Sequence, residues 1–104
     1  MWAQLIRMHL KPGKADGVTE VIEALRAAEQ PGSGLIRSLA MVDQKDRSQF
    51  SFLVVFDSEE SARARENDER RQAGLEQVRA LMADVFDGAP EFTDFDVVSE
   101  TLGS

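Results

Sequence analysis

Cysteine is missing from the 104 residues, and histidine occurs once, at His9. Without thiols there is no disulfide framework, no thiolate nucleophile and no thiolate metal site. One imidazole cannot build a multi-histidine zinc site within one chain, so no metal centre is expected. Basic residues are also scarce: 12 Lys and Arg stand against 19 Asp and Glu, for a net charge of −7. None lies beyond Arg79, where Asp84, Asp87, Glu91, Asp94, Asp96 and Glu100 hold most of the acid excess. Long-range attraction to a phosphate backbone or an anionic membrane needs a broad positive face, so neither partner is expected. No apolar run approaches about 18 uninterrupted residues, and no basic segment precedes one. The chain therefore reads as a soluble, cytoplasmic protein.

With 42% hydrophobic and 30% charged residues, the composition is that of a folding chain. Area scaling allows roughly 65% of the extended surface to be buried, enough for one core and one domain spanning residues 1–104. Trp2 to Lys11 mixes Leu5, Ile6, Met8 and Leu10 with Arg7 and His9 and stops at Pro12-Gly13, which predicts a strand. Between Lys14 and Gln30, Val18, Val21, Ile22, Leu25 and Ala28 recur at steps of three and four, which predicts an amphipathic helix. Leu35–Asp43 and Gln49–Asp57 read as two strands joined by a polar hairpin loop, the second with three Phe and two adjacent Val. Ser58 before Glu59 and Glu60 is a helix start. The helical region that follows should fall into two pieces, with an irregularity between Asn67 and Gly74 and an apolar stripe from Leu75 onward. Gly88 and Pro90 should end it, Phe92–Val98 should form the last strand, and the tail Thr101–Ser104 should fray.

The order β-α-β-β-α-β is the split βαβ pattern of ferredoxin-like α+β folds, in which both helices cover one face of a four-stranded antiparallel sheet. The other face stays open and needs a partner, a ligand or polar cover. Alternation puts Gln4, Ile6, Met8 and Leu10 on one side of the first strand and Leu5, Arg7 and His9 on the other. If Arg7 and His9 meet Asp94 or Asp96 on the last strand, the open face is semi-polar and is buried when two copies associate.

At the level of ordered segments the chain resembles the antibiotic biosynthesis monooxygenase type of dimeric α+β barrel over nearly its whole length. The segments are LKPGK at Leu10 to Lys14, the helix ending near EQPGSG, Phe56-Asp57-Ser58 leading into EESARA, and FDGAP at Phe86 to Pro90 before a strand. The resemblance implies a homodimer whose sheets close face to face, with a small-molecule pocket between sheet and helices in each subunit. It also implies an activity such as cofactor-independent oxygenation of aromatic polyketide-like molecules. A non-catalytic small-molecule-binding or regulatory homodimer is the alternative. Family members commonly carry Trp where this strand ends in Phe56, and often His and an aromatic residue where Arg65 and Arg71 stand. The haem-degrading branch uses a first-strand Asn, here Ile6, and a helical His, absent after His9. Histidine-ligated haem is therefore not expected, nor is any other cofactor.

The substrate-binding candidates are Gln4, Ile6, Phe56, Arg65 and Arg71. Arg63, Arg65, Arg70 and Arg71 could hold a carboxylate or phenolate through their planar forks, or could simply form a solvated helix paired with Glu66, Asp68 and Glu69. His9 is the one catalytic candidate, and its place opposite Gln4 and Ile6 favours a structural role. RNA-recognition domains share this element order, and QFSFLVV at Gln49 to Val55 partly resembles their aromatic motif. The acidic balance and the missing Gly at Gln49 argue against nucleic acid.

Overall fold

A computed structural model describes residues 1–103. Its order is β1 (Trp2–Leu10), α1 (Gly17–Ala28), β2 (Leu35–Val42), β3 (Gln49–Phe56), α2 (Glu59–Glu66), α3 (Glu69–Val85) and β4 (Phe86–Asp96). The strands make one antiparallel sheet in the order β2-β3-β1-β4, with all helices on one face, which is the ferredoxin-like α+β fold.

Local chemistry sets the joints. Asp43 Oδ1 accepts from the backbone N–H groups of Lys45 and Asp46, at 2.8 and 3.0 Å, which turns the β2–β3 loop. Ser58 Oγ caps α2 by accepting from the Ser61 N–H at 3.1 Å. The break between α2 and α3 falls at Asn67 and Asp68, where Asp68 caps the new helix by accepting from the Arg70 N–H at 2.9 Å. Gly74 of α3 meets Ala28 of α1 so closely that an added Cβ would lie 2.9 Å from the Ala28 Cβ, so this crossing depends on the missing side chain.

The last strand departs from expectation. Gly88 and Pro90 do not separate helix from strand, because α3 passes directly into β4 at Phe86. They sit instead in a bulge: His9 pairs with Asp87 and Arg7 with Glu91, leaving three β4 residues opposite Met8. Gly88 supplies the positive φ of 75° that this bend uses, and Pro90 removes a donor where the ladder is interrupted. The closing residues 97–103 form no helix or strand, and Ser104 of the expected frayed tail lies outside the described residues.

The bulge also settles which side chains share a face, and it corrects the expected open face. Arg7 and His9 do lie on the uncovered side, but they face Glu91 and Asp87 there. Asp94 and Asp96 pair with Gln4 and Trp2 and therefore project toward the helices. Arg7 is ion-paired to Glu91 at 3.5 Å. His9 takes its contacts from the β2–β3 loop side, with Gln49 Nε2 at 3.0 Å and Ser48 Oγ at 3.4 Å.

Under the helices the apolar side chains form two clusters, not one. Met8, Leu10, Val21, Phe50, Phe52, Val85 and Phe86 pack beneath α1 and α3, where Phe50 stacks edge-on against Phe52 at 4.9 Å between ring centres. At the other end of the strands Trp2, Val54, Phe56 and Ala62 pack beneath α2. Each fully buried large side chain contributes about 1.5–3 kcal/mol, so both ends are anchored independently. The stretch of sheet between them, around Gln4 and Ile6, is only half-covered.

Candidate functional site

A cavity of about 650 Å³ occupies that gap. Its floor is the middle of the sheet: Gln4 and Ile6 from β1, Phe52 and Val54 from β3. The β2 side contributes Leu35, Ser38 and Ala40, and the β4 side Phe92. Helix α1 presents Ile22, Leu25 and Arg26, with Glu29 just past its end. Arg65 and Glu66 come from α2, and Arg71 from the first turns of α3. The break between α2 and α3 thus lies beside the cavity, with Arg65 and Glu66 just before it and Arg71 just after it.

Four of the five sequence-derived binding candidates, Gln4, Ile6, Arg65 and Arg71, line this cavity. Phe56 does not: it is buried in the Trp2 cluster, and Arg65 reaches the cavity across its ring, with the guanidinium carbon 5.3 Å from the ring centre. His9 lies on the opposite face of the sheet, away from the cavity. Glu29, Arg26 and Phe92 were missed by the sequence reading. Ile22, Leu25, Arg26 and Glu29 form one stripe at helical spacing, which is the signal that could have revealed the first two. Phe92 needs the β4 register.

Arg65 and Glu29 form the tightest polar contact of the site. Arg65 Nε donates to both carboxylate oxygens of Glu29, at 2.9 and 3.1 Å, and Nη2 donates to Oε1 at 2.7 Å. Burial alone would raise the Glu29 pKa. The Arg65 hydrogen bonds and charge, with smaller help from Ser33 and Arg71, outweigh it and hold the group below its ordinary value. Arg71 behaves differently. Its half-buried guanidinium is disfavoured first by burial and then by the Arg65 charge, which pull its pKa below the ordinary arginine value despite help from Glu29, Glu66 and Asp68.

Gln4 is oriented by β4. Its Nε2 donates to Asp94 Oδ1 at 2.9 Å, and Arg63 Nη2 donates to the other Asp94 oxygen at 3.0 Å. Because an ionised carboxylate only accepts, the contact fixes the Gln4 amide nitrogen toward Asp94 and leaves its carbonyl oxygen, with no partner among the described residues, to accept from a ligand. Arg63 in turn sits over Trp2, 5.1 Å from the ring centre. The site therefore combines an apolar floor with a few convergent polar groups, the usual make-up of a small-molecule pocket.

The chain matches the model of the antibiotic biosynthesis monooxygenase family over residues 1–95. Among curated proteins none matches the sequence. Similar solved structures include a protein of unknown function, NE2512, from Nitrosomonas europaea, with 19% identity, a TM-score of 0.73, and 99% of this chain and 94% of that one covered. A candidate antibiotic biosynthesis monooxygenase from Chloroflexus aurantiacus J-10-fl shares 25% identity with a TM-score of 0.65, covering 99% of this chain and 100% of that one. A mutant of MhuD, solved with two manganese protoporphyrin IX bound per active site, shares 16% identity with a TM-score of 0.81, over 99% of this chain and 100% of that one. The present residues do not fit an axially ligated metalloporphyrin. The chain has no Cys and no Tyr, its one His is on the far face, and no Met lines the cavity. What this chain shares with these proteins is the sheet, the helix layer and their order, and with the match over residues 1–95 it belongs to the antibiotic biosynthesis monooxygenase family.

Proposed function

We propose that the chain is a cofactor-independent monooxygenase acting on a small aromatic, polyketide-like molecule bound in the cavity between sheet and helices. The observation that carries this reading is the cavity itself. Its volume of about 650 Å³ lies within the roughly 300–1,000 Å³ typical of ligand pockets, and its sheet side is apolar at Ile6, Phe52 and Val54 with Gln4 and Ser38 beside them, while charged groups enter from the helix side. A doubly activated methylene between aromatic rings loses a proton, and the resulting carbanion combines with O2. The protonated hydroperoxide then loses water to leave a carbonyl. One oxygen atom enters the product and the other leaves as water, so no external reductant is consumed. Gln4, through its carbonyl oxygen, would orient a hydroxyl of the substrate, and the cationic helix wall would stabilise the anion.

One observation favours a second reading, a non-catalytic small-molecule-binding or regulatory protein of the same fold. Glu29 is tied to Arg65 and Glu66 to Arg63, so neither cavity carboxylate is free to act as a base near neutrality. Oxygen uptake with anthrone in the presence of a chelator tests the choice. One O2 consumed per quinone formed supports the oxygenase. Aromatic ligands that raise the melting temperature without turnover select the binding protein, and no response of either kind overturns both.

In either case we propose that two copies associate through the open face. Its centre is apolar, with Leu39, Met41 and Phe95 exposed by 46, 40 and 45% beside Leu5 and Leu53. Its two ends carry the ion pairs Arg7–Glu91 and Arg37–Glu100. An apolar centre with a charged rim is the anatomy of a protein interface.

A further inference from the structure

We infer that the cavity receives its ligand by a carboxylate, held in the planar fork of Arg71. The inference deepens the binding reading above and rests on it. Three acids surround Arg71, and each is already engaged by a different arginine. Glu29 is held by Arg65 at 2.7 Å, Glu66 by Arg63 at 3.0 Å, and Asp68 by Arg70 at 2.9 Å. The Arg71 guanidinium has no hydrogen bond or ion pair among the described residues, though it is half-buried on the cavity wall. Arg26, at the cavity rim on α1, is likewise unpaired. Lys11, Lys45 and Arg47 also lack an ion pair among the described residues but lie away from the cavity, so Arg71 and Arg26 are the unpaired cations that an apolar floor faces.

A half-buried guanidinium without a partner is unfavourable, and an incoming anion relieves that condition. A planar guanidinium presents two parallel N–H groups, which match the two oxygens of a carboxylate. The planar fork of Arg71, in a cavity also lined by Ile22, Leu25 and Phe92, suits a carboxylate carried on an apolar body. Phe92 strengthens the case. It is a cavity-facing aromatic side chain with 59% exposure, apolar surface that the body of such a ligand would cover.

The test is calorimetric titration of the full chain with 2-naphthoate and with 2-naphthamide, which has the same shape without the charge. The expected result is at least about tenfold tighter binding of the acid, the scale of one charge-assisted bidentate contact. That preference is lost in Arg71→Gln and kept in Arg79→Gln, whose side chain pairs with Glu76 outside the cavity. Should Arg71→Gln fail to fold, Arg71→Lys keeps the charge without the fork and should show a reduced preference. Equal affinity of the two compounds for the unaltered protein overturns the carboxylate inference while leaving the cavity reading intact. Failure of both compounds to bind overturns the cavity reading and the inference with it.

Discussion

Arg65 and Glu29 are 36 positions apart in the chain, yet they meet through three hydrogen bonds of 2.7 to 3.1 Å on the cavity wall. The pair ties α2 to the end of α1. Because Arg65 consumes the charge of Glu29, the neighbouring Arg71 is left, like Arg26 on α1, without a compensating acid.

The first prediction concerns acid. The pKa of Glu29 is depressed below its ordinary value of 4.5, so its contribution to stability is present above that value and is lost as pH falls through the lower folded-state pKa. Near neutrality Glu29→Gln should be less stable than the unaltered protein. The difference in melting temperature should shrink as the pH is lowered below 4.5. Asp46, Asp68 and Asp94 are depressed as well, but they occur in both proteins and drop out of the comparison. A gap that is constant with pH would contradict this role.

Arg71 should behave in the opposite sense. Replacing a half-buried, unpaired cation with an apolar side chain of similar length removes a desolvation cost and the repulsion from Arg65. Arg71→Met should therefore be as stable as the unaltered protein or more stable by about 1 kcal/mol, measured by urea unfolding. A loss of 2 kcal/mol or more would show that Arg71 supports the fold.

The element order was legible because each element announces itself: apolar steps of three and four in α1, the Phe-rich run of β3, Ser58 ahead of two acids. Gln4 and Ile6 could be placed toward the helices by simple alternation. The open-face assignment of Asp94 and Asp96 failed because alternation within β4 does not tell which set faces the helices. That depends on the bulge across from Met8, and Gly88 and Pro90 read equally well as the end of a helix. The arginine-rich α2–α3 segment looked like a solvated surface. Most of its arginines do pair with nearby acids, and only the tertiary meeting of Arg65 with Glu29 singles out Arg71.

The α1–α3 crossing gives a third prediction. A Cβ at Gly74 would stand 2.9 Å from the Cβ and 3.1 Å from the Cα of Ala28, and the Cα belongs to the backbone and cannot turn aside. Gly74→Val should cost about 1–3 kcal/mol through overpacking, even though most residues suit a helix better than Gly. A fall of several degrees in melting temperature is the expected reading.

Association through the open face predicts a charge-sensitive oligomer. Leu39 and Phe95 stand on strands β2 and β4, on opposite sides of the apolar centre, and neither belongs to the cores beneath the helices. Leu39→Asp or Phe95→Asp should shift sedimentation from dimer to monomer while far-ultraviolet circular dichroism stays unchanged. An unaltered protein that sediments as a monomer at micromolar concentration removes the basis for the prediction.

Phe92 separates stability from binding. It pairs with Ile6 across the sheet and faces the cavity, but its 59% exposure means that little of its apolar area is buried in the protein alone. Apolar stabilisation scales with area removed from water, so Phe92→Ala should lower stability by well under the roughly 3–5 kcal/mol typical of a buried Phe. A ligand lying on the floor would cover the ring, and the same substitution should then weaken binding of a two-ring aromatic acid by about tenfold, or about 1.4 kcal/mol. Unfolding and calorimetric titration on one sample give both quantities. Unchanged affinity would mean that the ligand lies away from β4, toward Ser38 and Ala40 on β2, and equal losses in stability and affinity would mark Phe92 as a core residue.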